Sequence, residues 1–219
     1  MVDGFGRRVK DALLDPVLRL IPAGVHPNSV SLVSLLPGLA AACFAGLGMW
    51  LWALLAFALN RILDGLDGLI ARGRDLQSDF GGYMDIMIDF VVYAAIPIGV
   101  WIGVEAPLLD ASESGVTPLL SNTLPGAVPL VVLLAIFYVN AASWMYLSAV
   151  LEKRKRAVRT ESSTTVVMPS GLVEGTETVL FYVLFLLLPS YYPALFFLMA
   201  AATAVGVVQR IVWARRHLR

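Results

Sequence analysis

The chain has 219 residues, 58% of them hydrophobic and only 15% charged, with a mean hydropathy of +0.79. Those values lie off the range of soluble domains and place the chain in a lipid bilayer. Its 16 Lys and Arg balance 16 Asp and Glu, so no basic excess points to nucleic acid, and the single Cys43 excludes a disulfide framework or a cysteine-rich metal site.

The first 21 residues lack the continuous apolar core and small-residue cleavage site of a signal peptide. Within them, Val9, Ala12, Leu13, Val17 and Leu20 fall on one helical stripe, while Arg7, Arg8, Lys10 and Asp11 lie elsewhere. That pattern predicts an amphipathic helix lying on the inner leaflet. Pro22, Gly24 and Pro27 then break it.

A membrane span needs about 20 apolar residues to cross roughly 30 Å of hydrocarbon. Six stretches qualify, over residues 30–48, 50–71, 81–104, 128–151, 172–188 and 192–213. The expected fold is an all-α integral membrane protein: one domain over 1–219, with an interfacial helix and linker at 1–27 and a six-helix bundle over 28–219. Residues 105–126, rich in Pro, Ser and Gly, read as an irregular connector. Basic residues cluster before the first span, after the second and fourth, and at the end of the sixth, whereas the opposite connections contain no Lys or Arg. The positive-inside rule puts both termini in the cytoplasm.

Four aspartates interrupt this apolar pattern. Asp64 and Asp67 end the second span and Asp85 and Asp89 open the third. Spacings of three and four place each pair on one face of its helix, and the short link between the helices brings the pairs together just inside the cytoplasmic surface. Four like charges at that separation require a compensating cation. Hard oxygen donors favour Mg²⁺, Mn²⁺ or Ca²⁺, and four carboxylates suffice for two ions that neutralise a diphosphate. Gly68 and Gly81 would let such a substrate approach the backbone without meeting a Cβ, and Arg72, one turn from Gly68, would hold a phosphate. Arg61, three residues before Asp64, is expected to pair with a membrane carboxylate rather than meet substrate. The alternative from another class is a cation-coupled transporter with the aspartates as its ion site.

The run Asp64-x-x-Asp67-Gly68-x-x-Ala71-Arg72, eight further residues, then Gly81-x-x-x-Asp85-x-x-x-Asp89 resembles the full signature of the CDP-alcohol phosphotransferases. The resemblance implies a six-helix membrane enzyme with its site near the cytosolic face, two bound divalent cations (Mg²⁺ or Mn²⁺), and often a homodimer. It implies that Asp64 and Asp85 each bridge both metals, that Asp67 and Asp89 complete one shell each, and that Asp89 is the general base. Gly68, Arg72 and Ser78 match positions that contact the CDP moiety, with Gly81 beside them. Asn28 and Ser31 match a further nucleotide-binding segment that precedes the first helix. Read alone, residues 28–31 are a helix cap following a proline. The implied reaction transfers a phosphatidyl or other phospho-alcohol group from a CDP-linked lipid to an alcohol and releases CMP, as in phospholipid biosynthesis.

The acceptor is less legible. Arg154, in the basic run 153–159, and Glu174 and Glu177, at the start of the fifth span, are the candidates to recognise it. Topology signalling for the first and helix-dipole stabilisation for the other two compete with that reading.

Overall fold

The computed structural model describes residues 21–22, 24–110, 116–157, 173 and 175–218. The expected interfacial helix over 5–20 lies outside the described residues. Those described form six α-helices: α1 Pro27–Gly46, α2 Trp50–Gly73, α3 Asp79–Asp110, α4 Val116–Ala157, α5 Gly175–Leu187 and α6 Tyr192–His217, with a 3₁₀ turn at Pro189–Tyr191 before α6. No strand occurs among them.

Each of the six expected apolar stretches overlaps one of these helices. Four segments, Pro27–Gly46, Asp79–Glu105, Gly126–Arg154 and Pro189–His217, are long and apolar enough to cross a membrane. The 24 residues of α2 are long enough, but Arg61, Asp64, Asp67 and Arg72 lower its apolar character. Helix α5 is apolar and 13 residues long. Leu32, Leu36, Leu51, Leu55, Val131 and Ile211 are all exposed at the surface, an outward apolar face that water would not tolerate and lipid would solvate.

The region 105–126 departs from the expected irregular connector. Helix α3 runs on to Asp110, and α4 begins at Val116, leaving only 111–115 between them. Pro118 falls in the first turn of α4, where the N–H that proline lacks would have had no intrahelical partner. Composition therefore overstated the break.

Small residues decide how closely the first helices pack. The buried seam of α1 is Pro27, Ser31, Ser34, Gly38, Ala41 and Ala45, at alternating spacings of four and three. Opposite it on α3, a Cβ at Gly99 would run into the Ala42 carbonyl, and one at Gly103 into the Ala45 carbonyl. Backbone thus meets backbone, as glycine-mediated packing in membranes allows. The turn from α1 into α2 uses Gly48 at φ 71°, a left-handed conformation that suits glycine. Helices α1, α2 and α3 form one packed group and α4 pairs with α6, while α5 touches α2, α3 and α6. An aromatic cluster of Phe57, Tyr93, Tyr182, Phe185 and Phe196 joins α2, α3, α5 and α6.

The basic ends converge. Arg154 near the end of α4 donates to the carbonyls of His217 (3.1 Å) and Leu218 (2.5 Å) at the end of α6, so both helices finish at the same end of the bundle. Replacing Gly99 by Val should force α1 and α3 apart and cost about 1–3 kcal/mol, a typical overpacking penalty. Thermal unfolding in detergent micelles would register this as a lowered Tm; an unchanged Tm would contradict the close approach.

Candidate active site

Near the C-terminal end of α2 and the N-terminal end of α3, a cavity of about 270 Å³ opens between α1, α2, α3 and the five-residue link 74–78. It is lined by Asn28 and Ser31 from α1, Asp67, Gly68 and Arg72 from α2, Gln77 and Ser78 from the link, and Gly81 and Asp85 from α3. All six residues expected around the CDP moiety, Asn28, Ser31, Gly68, Arg72, Ser78 and Gly81, thus share one cavity with two of the four aspartates.

Local chain geometry explains the convergence. Helix α1 starts earlier than expected, with His26 as its N-cap: the His26 ring Nδ1 accepts from the Asn28 N–H at 3.3 Å, and Pro27 occupies the first turn. Residues 28–31 are therefore not the cap, which corrects that reading and leaves their side chains available to the cavity. The Ser31 hydroxyl donates to Asp67 Oδ2 at 2.5 Å, across from α1 to α2. A Cβ at Gly81 would lie 2.9 Å from Asn28 Oδ1 and 3.0 Å from Ser78 Oγ. At Gly68 it would meet the Arg72 guanidinium at 3.1 Å, so Arg72 folds back over the glycine one turn before it. The link is anchored from below by Arg74, which donates to the carbonyls of Ile21 (2.9 Å), Val25 (3.0 Å) and Pro22 (3.2 Å). Asp75 takes φ 53° as the chain turns between α2 and α3.

The other two aspartates face Arg61. Its Nη2 donates to Asp89 Oδ1 at 2.8 Å, and its Nη1 stands 3.7 Å from Asp64 Oδ2. The expected pairing of Arg61 with a membrane carboxylate is therefore present, and its main partner sits on the neighbouring helix. The remaining contacts of Arg61 come from residues that sequence reasoning passed over. Arg61 Nε donates to Asn60 Oδ1 (2.8 Å) and Nη1 to the Tyr93 hydroxyl (2.9 Å). Asn60 is fully buried and passes the connection on, its Nδ2 donating to the Ser34 carbonyl of α1 at 2.8 Å. Tyr93 is one turn beyond Asp89, a spacing that could have marked it.

Asp85 sits within the electrostatic reach of Asp64, Asp67 and Asp89 as well as Arg61, so the four carboxylates form one charged cluster. The donor set is all oxygen, with no sulfur or imidazole lining the cavity, and in kind it suits a hard divalent cation. Among the described residues no three acidic, His or Cys side chains are gathered at ligating distance. In this conformation Ser31 engages Asp67, and Arg61 engages Asp64 and Asp89.

Neither of the described acceptor candidates lines the cavity. Arg154 is exposed and caps the end of α6, Glu177 begins α5 without lining the cavity, and Glu174 lies outside the described residues. Arg210 is buried within α6, where its Nη1 donates to Asn140 Oδ1 on α4 at 3.2 Å.

A helical membrane chain with this motif and cavity defines an integral-membrane phosphotransferase. The chain belongs to the CDP-alcohol phosphatidyltransferase family, which it matches over residues 24–208, as the resemblance implied. It is similar to the inner membrane protein YnjF of Escherichia coli (strain K12), at 35% identity over 185 residues, covering 84% of this chain and 81% of that one. The archaetidylinositol phosphate synthase of Pyrococcus horikoshii is 33% identical over 103 residues, 47% of this chain and 55% of that protein. The fold is shared with Mycobacterium tuberculosis phosphatidylinositol phosphate synthase (PgsA1) with CDP-DAG bound, at a TM-score of 0.57 and 20% identity, covering 93% of this chain and 92% of that one. The same synthase in complex with manganese and citrate gives a TM-score of 0.57 at 19% identity, covering 92% and 87%. The chain is thus a membrane-bound transferase of phospholipid biosynthesis, and none of these relatives supports the transporter alternative.

Asn60→Leu should leave the Ser34 carbonyl and Arg61 Nε without their partner. The expected cost is about 1–3 kcal/mol for buried groups so orphaned, read as a lower Tm in detergent; an unaltered Tm would contradict the bridge.

Proposed function

We propose that the chain transfers the phosphatidyl group, or another phospho-alcohol group, of a CDP-linked lipid to an alcohol acceptor and releases CMP. The observation that carries this reading is the single cavity where Asn28, Ser31, Gly68, Arg72, Ser78 and Gly81 meet Asp67 and Asp85. A CDP diphosphate placed there meets Arg72, which lies over Gly68, as a positive partner. Asn28 and Ser78, both within contact of the Gly81 position, offer hydrogen bonds to the nucleotide.

Asp64, Asp67, Asp85 and Asp89 are the residues that would hold two divalent cations, Mg²⁺ or Mn²⁺, as the resemblance implies. Such ions supply neutralisation of the diphosphate and of the charge that develops on the departing CMP. For these carboxylates to ligate, Asp67 would do so alongside the hydrogen bond from Ser31, and Asp64 and Asp89 would share their oxygens with Arg61.

The acceptor hydroxyl oxygen attacks the β-phosphorus. A new P–O bond forms there, the bond from the β-phosphorus to the bridging oxygen breaks, and CMP departs with the electron pair. Asp89 receives the hydroxyl proton. A free carboxylate is too weak a base to ionise an alcohol beforehand, so the proton moves as the new bond forms. The acceptor is a small alcohol arriving from the cytosolic side.

In the membrane, the six apolar stretches are the spans, the fifth being residues 172–188, of which the 13-residue α5 is part. Residues 1–27 are the interfacial helix with its linker, and the whole is one domain with both termini and the site facing the cytoplasm. The convergence of Arg154 with the end of α6, which carries Arg215 and Arg216, supports that orientation through the positive-inside rule.

The deciding assay is CMP release by purified protein given CDP-diacylglycerol, Mn²⁺ or Mg²⁺, and a panel of glycerol 3-phosphate, inositol 1-phosphate and serine. Metal-dependent CMP formation with at least one acceptor is expected. No CMP with any of them, together with ion flux in proteoliposomes, would sink the reading. Asp89→Asn should lower kcat by about 10²–10⁴, the span of general base catalysis, while CDP-lipid binding persists. Gly68→Ala and Gly81→Ala should raise KM for the CDP-lipid and leave the metal requirement intact; unaltered KM values would remove those glycines from the diphosphate seat.

A further inference from the structure

Arg61 is costly where it stands. An arginine within a membrane helix is unfavourable by a few kcal/mol on insertion scales, and a buried ion pair can often be replaced by apolar side chains without loss of stability. Stability alone therefore does not account for it. Its surroundings instead fix its orientation from several sides. Nε is held by Asn60, which is itself tied to α1 through Ser34; Nη1 is held by the Tyr93 hydroxyl; and Nη2 reaches Asp89. The guanidinium also lies over two rings, 5.2 Å from the centroid of Tyr93 and 5.7 Å from that of Phe57. Tyr182 of α5 buttresses both rings, at 5.1 Å from Tyr93 and 5.8 Å from Phe57, and its hydroxyl donates to the Tyr93 carbonyl at 2.5 Å. Side chains of α2 and α3 thus converge on one guanidinium, backed by Ser34 of α1 and Tyr182 of α5, and that guanidinium ends on Asp89.

We propose that Arg61 is a positioning residue for Asp89, holding one carboxylate oxygen so that the other is aimed at the acceptor hydroxyl. This rests on the reading of Asp89 as the base. A carboxylate bound at one oxygen by a rigid donor loses rotation about its terminal bond, and proton transfer depends on that orientation. The planar fork of arginine is what permits the arrangement, because Nε, Nη1 and Nη2 address Asn60, Tyr93 and Asp89 at once. An ammonium keeps the charge but has no such fork. Asp64, 3.7 Å from Nη1, shares the same charge, so the guanidinium spans the first and last aspartates of the motif.

The test compares Arg61→Lys, Tyr93→Phe and Asp89→Asn with the wild type for CMP release from CDP-diacylglycerol, with the acceptor panel above and with Tm recorded for each. If the fork positions the base, Arg61→Lys lowers kcat by about 10²-fold, the scale of a misplaced reacting group, with KM for the CDP-lipid unchanged. Tyr93→Phe keeps the ring and removes only the hydroxyl that receives Nη1. It should lower kcat by about threefold to tenfold, the equivalent of one hydrogen bond, and it carries the test alone if Arg61→Lys fails to fold. Where Asp89→Asn is inactive, wild-type kcat in folded Arg61→Lys or in Tyr93→Phe overturns the positioning role and leaves the base standing. A proportionate rise in KM with kcat unaltered also overturns it. Wild-type turnover in Asp89→Asn, or no CMP from the wild type, overturns the underlying reading and the positioning role together.

Discussion

Four carboxylates in two neighbouring apolar helices are the constraint on which the rest of this structure depends. Each would be prohibitively expensive in hydrocarbon without partners, and their mutual repulsion adds to that cost. The fold answers with fixed contacts: Ser31 on Asp67, and Arg61 on Asp89 with Asp64 nearby. The Ser31–Asp67 and Arg61–Asp89 contacts each reach between helices, while Arg61 and Asp64 share α2. The charged cluster thus ties α1 to α2 and α2 to α3, while the close packing lies where α1 meets each of the other two.

Close packing in turn shapes the cavity. Gly99 and Gly103 let α3 approach the backbone of α1, which carries Asn28 and Ser31 to the mouth of the α2–α3 hairpin. A looser α1 would leave Asp67 without its hydroxyl donor and the cavity without one wall. The same economy of side chains appears at Gly81, where Asn28 and Ser78 fill the space that a Cβ would occupy. Polar side chains, with Arg72 over Gly68 among them, thereby surround the opening, a suitable surface for a diphosphate.

Much of this was legible in the sequence because its signals are local. Six apolar stretches, the three- and four-residue aspartate spacings and the glycine positions fix helix faces without knowledge of the tertiary fold. The residues expected at the CDP moiety meet in one cavity for the same reason, since most lie on a single helical hairpin. What escaped notice was non-local or compositional. Nothing in the spacing of Ser31 and Asp67, 36 residues apart, announces a hydrogen bond. Asn60, Tyr93 and Tyr182 read as ordinary span residues until the packing joins them to Arg61. The Pro-, Ser- and Gly-rich segment 105–126 looked like a connector, yet helix runs through its described residues, with Pro118 in the first turn of α4, where proline is tolerated, and Pro125 further inside it. Arg154 reaches the carbonyls at the end of α6, a partner that lies 63 residues away in the chain.

The central claim is that the intramembrane aspartates are a divalent-cation site serving a nucleotide diphosphate. Its most direct test is a Mn²⁺ titration of the purified chain, followed by electron paramagnetic resonance, with and without CMP. The account predicts that the six-line signal of free Mn²⁺ disappears on binding, that two ions per chain bind with mutual broadening, and that Asp64→Asn abolishes this. Free Mn²⁺ persisting in the presence of excess protein and CMP would contradict it.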